Sequence, residues 1–261
     1  RFRREHECEF LIFDETLISS LTLADMEGVA PVENTGQVRW FKRPTPGNTY
    51  MVSLDPSMGT GGDFAAIQVF ELPTFEQVGE WQHNMTPMNQ QVKILQGINK
   101  HIHDTIIERD PQATPQIFYS MENNTIGEAA LMRVMDIGEE NIMGMFLSEP
   151  IRKGHRRKFR RGFNTTAKFK IDACTKFKEL VESGKMKINS KLLISELKDF
   201  VATGLSYKAK PGQHDDLVMS CLLMTRMMKV LADFDPKIFE RWTDRSSELT
   251  TPMPIFGSFY G

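Results

Sequence analysis

Apolar and polar positions change their period several times along this chain, and each change marks an element. Tyr50, Val52 and Leu54 alternate with Met51 and Ser53, the two-residue period of a strand, and the run stops at Asp55-Pro56 before the turn-rich stretch SMGTGGD. Further strands are predicted over 64–71 and 75–83, completing a meander. Pro87 then opens a helix to about Arg109, on which Val92, Leu95, Ile98, Ile102 and Ile106 recur at helical spacing. Residues 117–121 read as a short apolar strand ending at Glu122-Asn123-Asn124. Thr125 is placed to cap the next helix, with Glu128 three residues on completing a capping box, and that helix ends near Gly138.

In the second half, Ile171, Cys174, Phe177 and Val181 mark one helical face, closed by Gly184. Leu193, Leu197, Phe200 and Val201 mark another at i, i+4, i+7 and i+8, with a short strand predicted between the two at 185–188. A last strand near 204–208, a Pro211-Gly212 turn and a strongly apolar helix from about 214 to 234 follow. Residues 1–45, punctuated by Pro31 and Pro44, read as an irregular entry or linker. Residues 46–235 make the folded domain, and 236–261, rich in Ser, Thr and Pro, a tail. Strands interleaved with helices predict an α/β fold, a mixed β-sheet with helices on both faces.

Composition narrows the picture. With 261 residues, 40% apolar and 25% charged, the chain can bury a sizeable core, which excludes disorder of the whole. Net charge is −2, so any nucleic-acid partner must be argued from local clustering. Residues 152–161, RKGHRRKFRR, supply it: Arg152, Lys153, Arg156, Arg157, Lys158, Arg160 and Arg161, followed by Lys168. Phosphates are the natural partner of such a run, and a solvated arm is its plain alternative. Cys8, Cys174 and Cys221 are widely spaced with no CxxC pair, against a disulfide framework or a zinc site and in keeping with a reducing cytoplasm. The apolar stretch 217–231 is interrupted by Ser220, Thr225, Arg226 and Lys229, so it reads as a buried helix and not a membrane span. The opening RFRREHECEF reads as the middle of something longer, and no G-x-x-x-x-G-K-[ST] phosphate loop occurs in these residues.

Candidate chemistry lies in acids at the ends of elements: Asp55, Glu122 and the pair Asp215-Asp216. Singly, each has an ordinary reading as turn former or helix cap. Together, at the carboxyl ends of strands, they would converge and repel one another unless a divalent cation neutralised them. Oxygen-only ligands favour Mg²⁺ or Mn²⁺, and two such ions about 3.5–4 Å apart can hydrolyse a phosphodiester. The glycine-rich SMGTGGD segment precedes a strand, not a helix, so it reads as a hairpin turn, with Asp63 near enough to support the site.

The segments MVSLDPSMGTGGDFAAIQVF, YSMENNTIGEA, GFNTTAKFKIDACTKFKELVESGKMKI and GQHDDLVMSCLL together resemble the nuclease domain of the large terminase subunits of tailed bacteriophages, most of all the T-even type. The resemblance covers roughly residues 1–232, its opening residues resembling the junction that follows the family's ATPase domain, which is absent here. It implies a ribonuclease H-like fold, a host-cell cytoplasmic setting, and metal-dependent cutting of concatemeric double-stranded DNA when packaging starts and when the head is full. Portal protein and the small terminase subunit are the implied partners, with no membrane. The family's first-strand aspartate falls on Asp55, its central acid on Glu122 and its last on Asp215 or Asp216, with Asp216 favoured. A branched-DNA resolvase of the same fold and a non-catalytic DNA-clamping or docking module are the alternatives. Asp55-Pro56-Ser57 lacks the D-x-E of proofreading exonucleases.

Overall fold

In the computed structural model, which describes residues 15–149 and 161–234, the first elements described are helix α1 (Ser20–Asp25) and a small hairpin of β1 (Glu33–Thr35) and β2 (Val38–Trp40). The stretch before residue 45 is thus not irregular where it is described. Leu17, Ile18, Leu23 and Trp40 are buried, and β2 pairs with the main sheet. Three-residue strands are too short to display a period, which is why the pattern there is silent.

The core of the fold is an antiparallel meander, β3 (Thr49–Asp55), β4 (Ala65–Leu72) and β5 (Glu76–His83), with the glycine-rich segment as the β3–β4 connection as expected. Helix α2 (Met88–Arg109) crosses over to β6 (Gln116–Met121), which lies parallel to β3. Helix α3 (Thr125–Ile137) and a 3-10 turn lead to β7 (Met145–Phe146), a short parallel edge strand the periodicity does not foretell. The sheet order is β1-β2-β5-β4-β3-β6-β7, so the fold is ribonuclease H-like, with a mixed seven-stranded sheet.

After the basic run come α4 (Ala167–Glu182), α5 (Lys191–Asp199), the hairpin β8 (Phe200–Thr203) and β9 (Ser206–Ala209), and α6 (Asp216–Phe234). Three details differ from expectation. Phe200 and Val201 open β8 instead of ending α5, and 204–205 form the hairpin turn; their spacing from Leu193 and Leu197 mimics one more helical turn. Residues 185–188 make a single bridge, Lys187 to Glu76, and no strand. Ile171 is 38% exposed, while Cys174, Phe177 and Val181 are buried.

β3 is buried on both faces, and its alternation decides what each face holds. Tyr50, Val52 and Leu54 pack with Val92, Leu95 and Ile98 of α2 and Val134 of α3. Met51, with Ala66 and Phe70 of β4, packs against Phe177 of α4, Leu197 of α5 and Leu217, Cys221 and Met224 of α6. Helices therefore cover both faces. Among the described residues no helix is long and apolar enough to cross a membrane.

Candidate metal centre

The parallel register of β3 and β6 pairs Leu54 with Met121, and the Glu122 N–H donates to the Leu54 carbonyl at 3.0 Å. Asp55 and Glu122 therefore leave adjacent strands side by side. Period-two alternation sends Ser53 and Asp55 to the face covered by α6, where the Ser53 and Ser220 hydroxyls lie 2.8 Å apart. Ser220 follows Asp216 by four residues, one helical turn, so the same face of α6 turns Asp216 toward Asp55.

The electrostatics record this convergence. Asp55 is held well above the usual carboxylate range, by burial first, then by the charge of Glu122 and a hydrogen bond to it, then by Asp216 and Asp215. Two carboxyls can hydrogen-bond only if a proton lies between them, so the Asp55–Glu122 pair holds one in common. Asp216 is pushed up to about 6 by burial, with Asp215 and Asp63 adding to the rise; the Phe64 N–H and nearby His214 oppose it.

Local chemistry around Glu122 explains its orientation. Asn124, and not Thr125, caps α3: its Oδ1 accepts from the N–H groups of Ile126 and Gly127. The same carboxamide donates to Glu122 Oε2 at 3.0 Å. Gly127 lets the helix lie against the strand end, because a Cβ there would fall 1.9 Å from the Glu122 carbonyl oxygen. On the other side the Phe163 N–H donates to the Met121 carbonyl, and Asn123 N–H to the Phe163 carbonyl. Arg226 of α6 fixes that segment: it pairs with Glu149, donates to Thr165 and the Asn164 carbonyl, and lies over the rings of Phe163 and Phe169.

Not every predicted residue joins the cluster in the same way. Asp215 contributes its charge, but its Oδ2 accepts the Ala209 N–H at 3.0 Å, tying it to the β8–β9 hairpin. Among the described residues no three His, Cys, Asp or Glu side chains are gathered so as to hold a metal ion. The donor chemistry itself fits a hard divalent cation: the donors are oxygen only, and a cation would relieve the repulsion that, with burial, raises Asp55. Arg152, Lys153, Arg156, Arg157, Lys158 and Arg160 lie outside the described residues. Arg161 pairs with Glu139, and Lys168 is exposed on the first turn of α4. Sequence reasoning missed Asn124 and Arg226; of these only Asn124 carried a signal, as an Asn directly before a helix.

Residues 52–227 match the family model described as the terminase RNaseH-like domain. The chain belongs to that family. The match is to the terminase family and does not single out a T-even branch. Among solved structures, the large terminase nuclease from thermophilic phage G20c with bound magnesium shares 19% identity at a TM-score of 0.59, covering 81% of this chain and 97% of that one. The Thermus phage P74-26 large terminase nuclease domain shares 19% at 0.56, over 80% and 93%. A human cytomegalovirus terminase nuclease domain, soaked with manganese and bound to an inhibitor, shares 15% at 0.52, over 86% and 98%. At such identities these likenesses speak for the fold of this terminase domain.

Proposed function

We propose that this terminase domain is a metal-dependent endonuclease that cuts concatemeric double-stranded viral DNA during genome packaging, by two-metal phosphodiester hydrolysis. The observation that carries the reading is the contact of Asp55 with Glu122 in the field of Asp216, three acids remote in sequence at one end of one sheet. Asp55, Glu122 and Asp216 are the proposed ligands, with Asp215 adjoining. Bound there, two Mg²⁺ or Mn²⁺ ions supply activation of a water and neutralisation of charge at the scissile phosphate.

The protein's own groups prepare for this. Asp55 would act as a ligand once ionised, Asn124 holds one oxygen of Glu122, and the Phe64 N–H holds Asp216. The basic residues Arg152, Lys153, Arg156, Arg157, Lys158 and Arg160, with Lys168, are proposed to attract the DNA backbone without reading bases, whereas Arg161 of the same run is held by Glu139. Portal protein and the small terminase subunit are the proposed partners, in the cytoplasm of the infected host.

The test is supercoiled plasmid with Mn²⁺ or Mg²⁺, parent against Asp55→Asn. Nicked and linear products from the parent, lost on adding chelator and lost in the variant while DNA binding persists, support the proposal. Cutting that survives either the chelator or Asp55→Asn overturns it, and so does a parent that cuts no duplex with either metal.

A further inference from the structure

Gln82, Ala66 and Asp55 are successive partners across β5, β4 and β3, so their side chains stand in one row on the sheet face that carries α6. From that row the Gln82 Nε2 donates to Oε1 of Glu196 at 2.8 Å. Glu196 lies on α5, and its Oε2 accepts the Val218 N–H at 3.1 Å; the Leu217 N–H donates to it as well. Leu217 and Val218 belong to the first turn of α6, whose N–H groups have no partner within the helix.

A helix usually takes its cap from the residue just before it, here Asp215. The Asp215 carboxyl is engaged with Ala209, and the capping carboxyl comes instead from a different helix. Burying an acid beside Asp216 is unfavourable, since both desolvation and that neighbouring charge oppose its ionisation. The polar groups around it offset this cost, and they join three elements: β5, α5 and α6.

On the reading of the acidic cluster as a metal centre, we propose that Glu196 is its positioning residue, fixing the first turn of α6, and with it the Asp216 carboxyl, to the row of the sheet that contains Asp55. Both Glu196 oxygens are engaged by these donors, so Glu196 itself is not assigned as a ligand.

The experiment measures Mn²⁺ binding by calorimetry without DNA, and amide exchange at Leu217 and Val218. Glu196→Ala is expected to weaken Mn²⁺ binding by about 10- to 100-fold, the usual effect of removing a group that orients a ligand, and to speed exchange at both amides. Glu196→Gln is expected to stay within about threefold of the parent, because a carboxamide oxygen can accept the helix N–H groups while Gln82 turns its amide about. Should Glu196→Ala fail to fold, Gln82→Ala removes only the anchor on the sheet and is expected to weaken binding by about 3- to 10-fold.

Mn²⁺ affinity within twofold of the parent in a folded Glu196→Ala, or in Gln82→Ala where Glu196→Ala does not fold, overturns the assignment. So does a folded Glu196→Gln as weak as Glu196→Ala. A parent that binds no Mn²⁺ overturns the metal-centre reading, and amide exchange then decides alone whether Glu196 holds the helix: unchanged exchange removes it from that role.

Discussion

The hydroxyls of Ser53 and Ser220 lie 2.8 Å apart in the buried seam between β3 and α6, each also within hydrogen-bond reach of the other residue's carbonyl, so that one donates to its partner hydroxyl and the other to a carbonyl. Ser53 precedes Asp55 by two residues and Ser220 follows Asp216 by four, so this bond sets the register of helix on strand just beneath the two acids. Removing either hydroxyl leaves the partner still bonded to a carbonyl, whereas removing both takes away every contact the two hydroxyls make. Ser53→Ala and Ser220→Ala are each expected to cost about 1–2 kcal/mol in guanidinium unfolding, with a double-mutant cost that departs from their sum by about 0.5 kcal/mol or more. Strict additivity would show that the two hydroxyls do not act as a pair.

Acids raised by burial give the metal-free protein an unusual pH dependence. Asp216 rises from 3.8 to about 6 and Glu196 from 4.5 to about 8, so the folded state favours their neutral forms. Their contribution is complete below the ordinary carboxylate range and is lost as pH rises through the folded values. In chelator, Tm is therefore expected to fall between about pH 4.5 and 8, by about 5 °C or more. On the metal-centre reading Mn²⁺ is bound by ionised Asp216 and its neighbours, so the Tm gained on adding it should grow as pH rises through about 6. A metal-free Tm that climbs across that window contradicts the burial and crowding of these groups.

Asn124 does two jobs with one carboxamide, and they can be separated. Its Oδ1 caps α3, and its amide holds Glu122 Oε2. Asn124→Ala loses both and should cost about 1 kcal/mol of stability besides weakening Mn²⁺ binding. Asn124→Ser keeps a capping oxygen but is too short to hold Glu122. It should unfold within about 0.5 kcal/mol of the parent and still bind Mn²⁺ about 10-fold more weakly. Parent-like Mn²⁺ affinity in Asn124→Ser would mean that Glu122 needs no such support.

What the sequence makes legible follows from which interactions are local. β3 and its terminal Asp55 are readable because alternation and the Pro56 break sit side by side, and α6 because apolar residues dominate every helical turn from Leu217 to Leu231. The β1–β2 hairpin is hidden because three residues show no period, and β8 because Phe200 and Val201 continue the spacing of the helix before them. Asn124 and Thr125 are both good capping residues, and only the path of the backbone after Glu122 chooses between them. Glu196 is invisible for a deeper reason: its partners, Gln82 and Val218, are 114 and 22 residues away, and no motif links them. The ribonuclease H-like fold is readable through family resemblance, since periodicity alone yields only a mixed sheet with helices on both faces.

The basic run yields the last prediction, and the structure divides it. The Glu149 N–H donates to the Gly162 carbonyl at 3.2 Å, and Phe163 bridges to Glu122, so the described residues flanking 150–160 meet beside Glu122. Arg161 is already engaged: its guanidinium pairs with Glu139, and its carbonyl accepts the Asn123 amide. Neutralising Arg156 and Arg157 together should weaken duplex binding and lower the slope of log K against log salt by about 0.9 for each phosphate that the protein no longer neutralises, so by up to about 2. Arg161→Ala should instead leave that slope within about 0.3 of the parent and lower thermal stability, because the charge it removes is one already neutralised by Glu139. Equal flattening by the two variants would show that Arg161 leaves Glu139 to meet DNA, and an unaltered slope in the Arg156 and Arg157 variant would reduce the run to a solvated arm.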